Sequence, residues 1–286
     1  MSLTFYLNLV MSGLLTGLVY GLAALGLSLI FTVTRTVNFA HGGVMAIGLA
    51  GASALAARHG LDPLLAMPMV AAGLFLGGFL LYRLLIGRVA EAPGRLRTLA
   101  MLGLALMLAA ALAAFTGGGE PAPRVADTLA FGPFLFERIA LRAALMAGII
   151  TALLALFFNV SQIGKAIRAC ADNPFGARVV GLNLERLQAA AFGLGTAITG
   201  IAGCLLAQSV EIRPELAPGL LALGLAVVLA GGLGSVEGAL VGGVAVGVAE
   251  ALGGALLAPS LKEVSGLAVA LLVLALRPHG LLGRGE

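Results

Sequence analysis

Residues 7–31 read LNLVMSGLLTGLVYGLAALGLSLIF, an apolar stretch that contains no charged residue. A helix that crosses the hydrocarbon core of a membrane needs about 20 such residues. Gly13, Gly17 and Gly21 recur within the stretch at four-residue spacing. Small residues at this spacing let helices approach closely in lipid, where apolar burial gives them no reason to associate. The stretch therefore predicts a transmembrane helix with a glycine face that packs on a neighbouring helix.

Similar apolar stretches recur along the whole chain of 286 residues, of which 60% are hydrophobic and only 10% charged. Soluble domains carry about 25% charged residues, and the mean hydropathy of +1.08 also argues against that class. We expect membrane spans near residues 7–31, 43–57, 64–82, 98–116, 140–159, 188–207, 217–232, 239–257 and 264–276. The sequence therefore predicts an all-α fold, a polytopic transmembrane helical bundle of eight or nine spans that forms one domain over residues 1–286.

Positive charge indicates the side of the membrane on which each connection lies. Basic residues cluster in three places: Arg83, Arg88, Arg95 and Arg97; Lys165, Arg168, Arg178 and Arg186; and Arg277 and Arg284. The positive-inside rule assigns these connections to the cytoplasm, and the mixed charges of 117–138 and 208–216 suit an external side. Nine spans then require an external N-terminus, whereas a re-entrant segment at 38–57 would give eight spans and an internal N-terminus. The sequence leaves both open.

Reactive side chains are sparse in this chain. Its three histidines, His41, His59 and His279, are isolated in sequence, and Cys170 and Cys204 lack the spacing of metal ligands. We therefore expect neither a catalytic constellation nor a metal site. The net charge of +4 comes from arginines scattered between apolar segments, so it does not indicate a nucleic-acid surface either.

The connection at 161–186 is long enough to hold structure of its own. Asn173 can cap a helix that starts at Pro174, and Gly181 can end that helix in the left-handed conformation. Phe175 and Val179 stand four residues apart and share a face of this predicted helix. The helix then either docks into a groove on a cytoplasmic partner or lies on the membrane surface.

Residues 38–43 read NFAHGG and follow the first span. Asn38 and His41 bring polar groups to this point, and the glycine pair that begins at Gly42 allows the backbone to bend. One interpretation is a broken helix whose free backbone groups recognise the charged ends of an amino acid. In the other interpretation Asn38 caps the next helix and His41 meets the lipid headgroups.

Residues 231–243 read GGLGSVEGALVGG and superficially resemble a phosphate-binding loop. The G-x-x-x-x-G-K-[ST] pattern is nevertheless absent from the chain, so we expect no ATP hydrolysis here. A tight turn and close helix packing explain these residues better, with Ser235 as the cap of the following span. The residues assigned to turning and packing are Gly17, Gly21, Gly231, Gly232, Gly234, Ser235, Gly238 and Gly242.

Glu250 lies inside the apolar run 239–257. A carboxyl group at the centre of a span costs roughly 2.5–3.5 kcal/mol on translocon scales, so it should face the bundle interior or lie near the external headgroups. We therefore treat Glu250, together with Asn38, His41 and Gly42, as a candidate for the translocation pathway.

The segment IGKAIRACADNPFGARVVGLNLER at 163–186 resembles the cytoplasmic coupling loop of permeases in the branched-chain amino-acid branch of the ABC importers. The motifs at 38–43 and 231–243 occur in the order typical of that family. GLVYGLAALG at 17–26 and RPHGLLG at 277–283 extend the resemblance over nearly the whole chain. The resemblance implies a permease subunit of the bacterial inner membrane that carries branched-chain amino acids. The alternatives are a urea or short-amide permease and a secondary transporter or facilitator without an ATPase.

The resemblance also implies partners: a homologous second permease subunit, two cytoplasmic ATPase subunits, and a periplasmic or lipid-anchored substrate-binding protein. ATP and Mg would then bind to the ATPase subunits, and this chain would hold no cofactor. The implied ATPase-coupling surface comprises Arg168, Asp172, Asn173, Pro174, Phe175, Arg178, Gly181 and Glu185.

Overall fold

Long helices dominate the structure, because a backbone in lipid must satisfy its polar groups internally. The computed structural model describes residues 3–89, 92–116, 128–131, 134–213 and 216–283. The helices are α1 (Leu3–Thr34), α2 (His41–His59), α3 (Pro63–Leu81), α4 (Gly87–Val89), α5 (Gly94–Thr116), α6 (Arg138–Val160), α7 (Gln162–Asp172), α8 (Pro174–Val179), α9 (Leu184–Leu206), α10 (Leu216–Gly231), α11 (Val236–Leu256) and α12 (Lys262–Leu276). A π-helical turn at Tyr82–Ile86 joins α3 to α4, and a 3-10 turn at Pro259–Leu261 precedes α12.

Each of the nine apolar stretches coincides with a helix, so the all-α prediction is confirmed. Within the described residues, seven helices are long and apolar enough to cross a membrane: α1, Pro63–Val89, α5, α6, α9, α11 and Pro259–Leu276. Helix α10 is apolar but shorter, and α2 has 19 residues. The strands β1 (Thr128–Phe131) and β2 (Phe134–Glu137) form an antiparallel pair in the connection between α5 and α6. Glu120, Arg124, Asp127, Glu215 and Arg284, used in the topology prediction, lie outside the described residues.

Helix α1 crosses the centre of the bundle and packs on α11 and α9. Its glycine face meets a matching glycine face on α11 so closely that the two backbones touch. A Cβ atom added at Gly17 would stand 2.7 Å from the carbonyl oxygen of Gly243 and 2.7 Å from the Cα of Val244. Gly13 meets Gly247 and Val248 in the same way. These contacts agree with the packing role predicted for this glycine face.

The remaining helices divide into an inner and an outer set. Helices α1 and α9 are mostly buried, and they pack with α2, α10 and α11 around the main apolar core. By contrast, α3, α5, α6 and α12 expose rows of large apolar side chains such as Leu76, Leu106, Leu153 and Leu271. Surfaces of this kind are suited to lipid or to another membrane subunit rather than to water.

Contacts at the two ends of α1 show in which direction it crosses the bundle. Near its start, Asn8 Oδ1 accepts a hydrogen bond from the Leu135 amide at 3.0 Å, so this end lies beside the β-strand pair. Just beyond its other end, Arg35 donates to the Ala171 carbonyl oxygen at 3.0 Å in the basic connection between α6 and α9. If the basic connections are cytoplasmic, the N-terminus is external. This direction favours nine traversing segments over eight.

Replacement of Gly17 by alanine tests the α1–α11 contact. The new methyl group would overlap backbone atoms that cannot move aside alone, so we expect a loss of about 1–3 kcal/mol in stability. The measurement is the midpoint of thermal unfolding of the purified chain in detergent, which should fall by several degrees. Gly77→Ala is the matched control, because no neighbouring heavy atom of the described residues lies within 4 Å of its added Cβ. Equal midpoints for both variants would contradict this account.

Candidate functional site

The connection at 161–186 folds into two short helices. Ser161 caps α7 by accepting a hydrogen bond from the Gly164 amide at 2.9 Å. Asn173 caps α8 by accepting from the Gly176 amide at 2.8 Å, and Pro174 occupies the first helical position. Gly181 follows with φ of 83°, in the left-handed region that favours glycine. The capping predicted for α8 is therefore confirmed, whereas α7 was not anticipated as a separate helix.

Helix α8 presents an apolar face to the outside of the protein. Phe175 is 79% exposed, and Val179 and Val180 are 72% and 75% exposed. Of the other coupling residues predicted from the sequence, Asp172, Asn173, Pro174, Arg178 and Gly181 are also exposed. Within and directly after α8, the loop thus combines three exposed large apolar side chains with a rim of polar and charged groups.

Two of the predicted coupling residues are held within the chain instead. The guanidinium of Arg168 donates to Asn159 Oδ1 at 3.1 Å and also to the carbonyl oxygen of Phe158, so it fixes α7 to the end of α6. Glu185 forms an exposed ion pair with Arg83, at 3.9 Å between Nε and Oε1. Both residues belong to the loop, and their contacts with other parts of the chain hold the loop in place.

The base of the loop is packed into the bundle. Cys170, Ala177 and Leu184 form a small buried cluster that joins α7, α8 and α9. Burial raises the pKa of the Cys170 thiol, which keeps it protonated and suits a packing role. Arg35, which bonds to Ala171, has φ of 51°, an uncommon conformation for a non-glycine residue. Sequence reasoning missed Arg35, since its partner is 136 residues away.

The NFAHGG segment interrupts the helices inside the protein. Residues 35–40 are not helical, and α2 begins only at His41. Asn38 is 1% exposed, and its Oδ1 accepts a hydrogen bond from the Ala40 amide at 3.0 Å. Such irregular backbone is tolerated at membrane depth when protein surrounds it. The helix break is therefore observed, and Asn38 shapes the turn rather than capping α2, whose cap residue is Ala40.

His41 is fully buried between α9 and α10, so the interpretation that placed it among the lipid headgroups is wrong. Its Nδ1 lies 3.3 Å from Thr199 Oγ1. A Cβ added at Gly224 would stand 2.6 Å from His41 Nε2, which shows how tightly the ring is enclosed. Gly42 packs in the same way against the backbone of α10 at Ala217. In this conformation His41 and Gly42 are both packed against the neighbouring helices.

The glycine-rich segment forms the turn between α10 and α11. Gly232 and Gly234 have φ of 112° and 82°, and Ser235 Oγ accepts a hydrogen bond from the Gly238 amide at 2.9 Å. Gly231 and Gly238 face each other so closely that neither has room for a side chain, and Gly242 packs on the Gly231 backbone. These contacts agree with the predicted turning, capping and packing roles.

Glu250 lies on α11 and is 4% exposed. Tyr20 on α1 donates a hydrogen bond from its hydroxyl to Glu250 Oε2 at 3.0 Å. The pair lines a cavity of about 520 Å3. Apolar side chains form most of the cavity wall, among them Leu206, Leu220, Leu223, Val246 and Leu267.

Charged residues surround the mouth of this cavity. Arg213, Lys262 and Glu263 line it, and all three are exposed. They belong to the connections before α10 and at the start of α12, which lie at the end of the bundle opposite the coupling loop. The cavity therefore has a buried polar floor, apolar walls and a charged rim. Sequence reasoning found Glu250 but not Tyr20, for which the only signal was a phenol within a charge-free span.

Comparison with known proteins agrees with this architecture. Residues 9–276 match the family model described as branched-chain amino acid transport system / permease component. The chain belongs to this permease family. It is 32% identical over 304 residues to the high-affinity branched-chain amino acid transport system permease protein BraD of Pseudomonas aeruginosa, covering 98% of this chain and 97% of that protein. It is 32% identical over 306 residues to LivH of Escherichia coli K12, covering 99% and 97%. A probable LivH of Methanocaldococcus jannaschii is 28% identical over 278 residues, covering 92% and 88%.

Family membership and the apolar helices make this permease a multi-pass protein of the bacterial inner membrane. It is one component of a transport system and not an enzyme.

Replacement of Asn173 by alanine tests whether its cap holds α8 in place on the permease. Loss of the side-chain acceptor leaves the Gly176 amide without its partner and should cost about 1 kcal/mol of local stability. We expect amide hydrogen exchange to accelerate about fivefold in the peptide covering 174–180. Asn173→Asp is the control, because it keeps an acceptor oxygen at the cap and should exchange nearly as slowly as the unmodified permease. Equal rates of amide exchange in Asn173→Ala and Asn173→Asp would contradict a capping role for Asn173.

Proposed function

We propose that this permease is a membrane-spanning subunit of an ATP-binding-cassette importer that carries branched-chain and other hydrophobic amino acids inward. ATP and Mg bind to ATPase subunits supplied in trans, and the chain itself binds no cofactor. Two cytoplasmic ATPase subunits, a homologous second permease and an external substrate-binding protein complete the transporter. The names of the relatives BraD and LivH, high-affinity branched-chain amino acid permeases, support the substrate class.

The observation that carries this proposal is the exposed apolar face of α8. Phe175, Val179 and Val180 project from a loop at the cytoplasmic end of the bundle. Apolar burial contributes about 25 cal/mol per Å2, so a protein groove that covers these side chains gains binding free energy from them. Polar and charged neighbours at Asp172 and Arg178 form a rim around the face. A solute channel without an ATPase has no need of such a surface.

The loop is attached firmly enough to transmit force. The buried cluster at Cys170 links α7, α8 and α9, and Arg35 ties the end of α7 to the end of α1. Arg168 fixes the start of the same loop to α6. A push on α8 therefore acts on several membrane helices at once rather than on a loose segment.

The cavity supports an apolar amino acid over urea or a short amide. Its volume is about 520 Å3, and its walls are mostly leucine and valine. Urea has no apolar group for such walls, whereas a branched aliphatic side chain removes apolar surface from water when it binds there.

Co-purification tests the ATPase-binding role of α8. The transporter is solubilised in mild detergent from its native membrane and captured through this chain, with Phe175→Ala/Val179→Ala compared with the unmodified permease. Loss of two central apolar contacts should reduce the retained ATPase at least about tenfold. Leu233→Ala is the control, because Leu233 is exposed in the α10–α11 turn at the same end and should retain the ATPase.

Two other outcomes would contradict the proposal. If the double variant retains the ATPase fully, α8 is not the docking surface and the alternative position on the membrane surface is favoured. If no ATPase accompanies the unmodified permease, while the chain alone carries leucine into liposomes without ATP, the protein is a facilitator or secondary transporter.

A further inference from the structure

We infer that the cavity between α1, α10, α11 and α12 is an amino-acid binding site on the permease itself. In this site Glu250, positioned by Tyr20, binds the α-ammonium group, and the apolar walls hold the aliphatic side chain. The inference rests on the proposed function, because it takes hydrophobic amino acids as the transported class. It adds a chemical explanation of how the membrane subunit itself recognises the amino acid.

The floor of the cavity has the group that an ammonium ion requires. A carboxyl group offers acceptor sites on both oxygens, and Tyr20 bonds only to Oε2. Glu250 Oε1 faces Gly266 on α12, where an added Cβ would stand 3.2 Å from it. Glycine at 266 thus lets α12 pack closely against the carboxyl group. An ammonium group that enters the cavity from the Glu250 side can donate up to three hydrogen bonds.

The rim provides charge for the other end of the ligand. Lys262 and Glu263 lie close enough to interact electrostatically with Glu250, and both line the cavity. Arg213 also lines it and forms an ion pair with Glu211. The carboxylate of an amino acid held by its ammonium group at the floor would point toward these cations. Its side chain would then contact Leu220, Leu223 and Val246.

Burial of Glu250 has a purely structural alternative, in which its hydrogen bond with Tyr20 only joins α1 to α11. The glycine faces already hold these two helices in backbone contact. A buried carboxyl group in a membrane span is costly and is typical of a substrate or ion pathway. The alternative also gives no reason for a mixed-charge rim above an apolar cavity.

Cysteine protection in the complete transporter tests the inference. Ala222 lines the cavity, so Ala222→Cys should react with a membrane-impermeant maleimide added from the external side. Leucine should slow this reaction, whereas 4-methylpentanoate, which lacks the ammonium group, should not slow it at the same concentration. Native Cys170 and Cys204 are buried, and the unmodified transporter gives the background labelling. Leu257→Cys is the control, because Leu257 is exposed at the same end but outside the cavity lining.

Glu250→Gln in the Ala222→Cys background keeps the size of the side chain and an acceptor for Tyr20 but removes the negative charge. We expect it to raise the leucine concentration for half protection at least about tenfold. Gly219→Phe is a second variant that leaves the carboxyl group intact. Gly219 lines the cavity, and among the described residues no neighbouring heavy atom lies within 4 Å of its added Cβ, so a phenyl ring there should block leucine without displacing these neighbours.

The outcomes separate this inference from the proposed function. If the unmodified transporter takes up leucine with ATP, but leucine does not protect Ala222→Cys, the cavity is not the site. Unchanged protection in both Glu250→Gln and Gly219→Phe would likewise overturn the inference and leave a structural role for Glu250. If the unmodified transporter shows no ATP-driven uptake of leucine while leucine protects the cavity, the importer proposal fails and the binding site stands.

Discussion

The backbone contact between α1 and α11 is the interaction on which the rest of the bundle depends. Lipid gives apolar helices no hydrophobic reason to associate, so their packing depends on how closely they approach. The glycines of both helices bring peptide groups together along several turns, and α9, α10 and α12 pack around the resulting pair. A side chain on either face would separate the two helices and shift everything that rests on them.

This close packing also limits what one chain can do alone. The interior beside His41 is packed with Thr199 and the backbone of α10, and the charged residues of the cavity at Glu250 lie at the end opposite the loop at 161–186. Movement of the helices, or a boundary with a neighbouring subunit, is therefore needed for a solute to cross. The outward-facing leucine rows of α3, α5, α6 and α12 provide ample surface for such a boundary.

Local features of the fold were predictable from the sequence, and features that depend on distant residues were not. The membrane spans follow from the charge-free stretches, and the cap of α8 follows from the Asn173-Pro174 pair. Both depend on residues close together in sequence, so both could be predicted. The Tyr20–Glu250 and Arg35–Ala171 contacts join residues 230 and 136 positions apart, and no local pattern encodes them. Glycine spacing in the sequence does not by itself predict which helices pack closely. Gly73 and Gly77 have the same spacing as Gly13 and Gly17, yet nothing in the described chain lies within 4 Å of their added Cβ atoms.

Helix α1 links the cavity to the loop that carries α8. Tyr20 lies at the cavity, and Arg35 holds the loop that carries α8. At a rise of 1.5 Å per residue they are about 22 Å apart along a stiff rod. A shift of a stiff helix along its axis moves its side chains together, so a displacement of Arg35 along this axis would also displace the Tyr20 hydroxyl. Helix α1 therefore offers a direct mechanical connection between the cavity and the loop at 161–186.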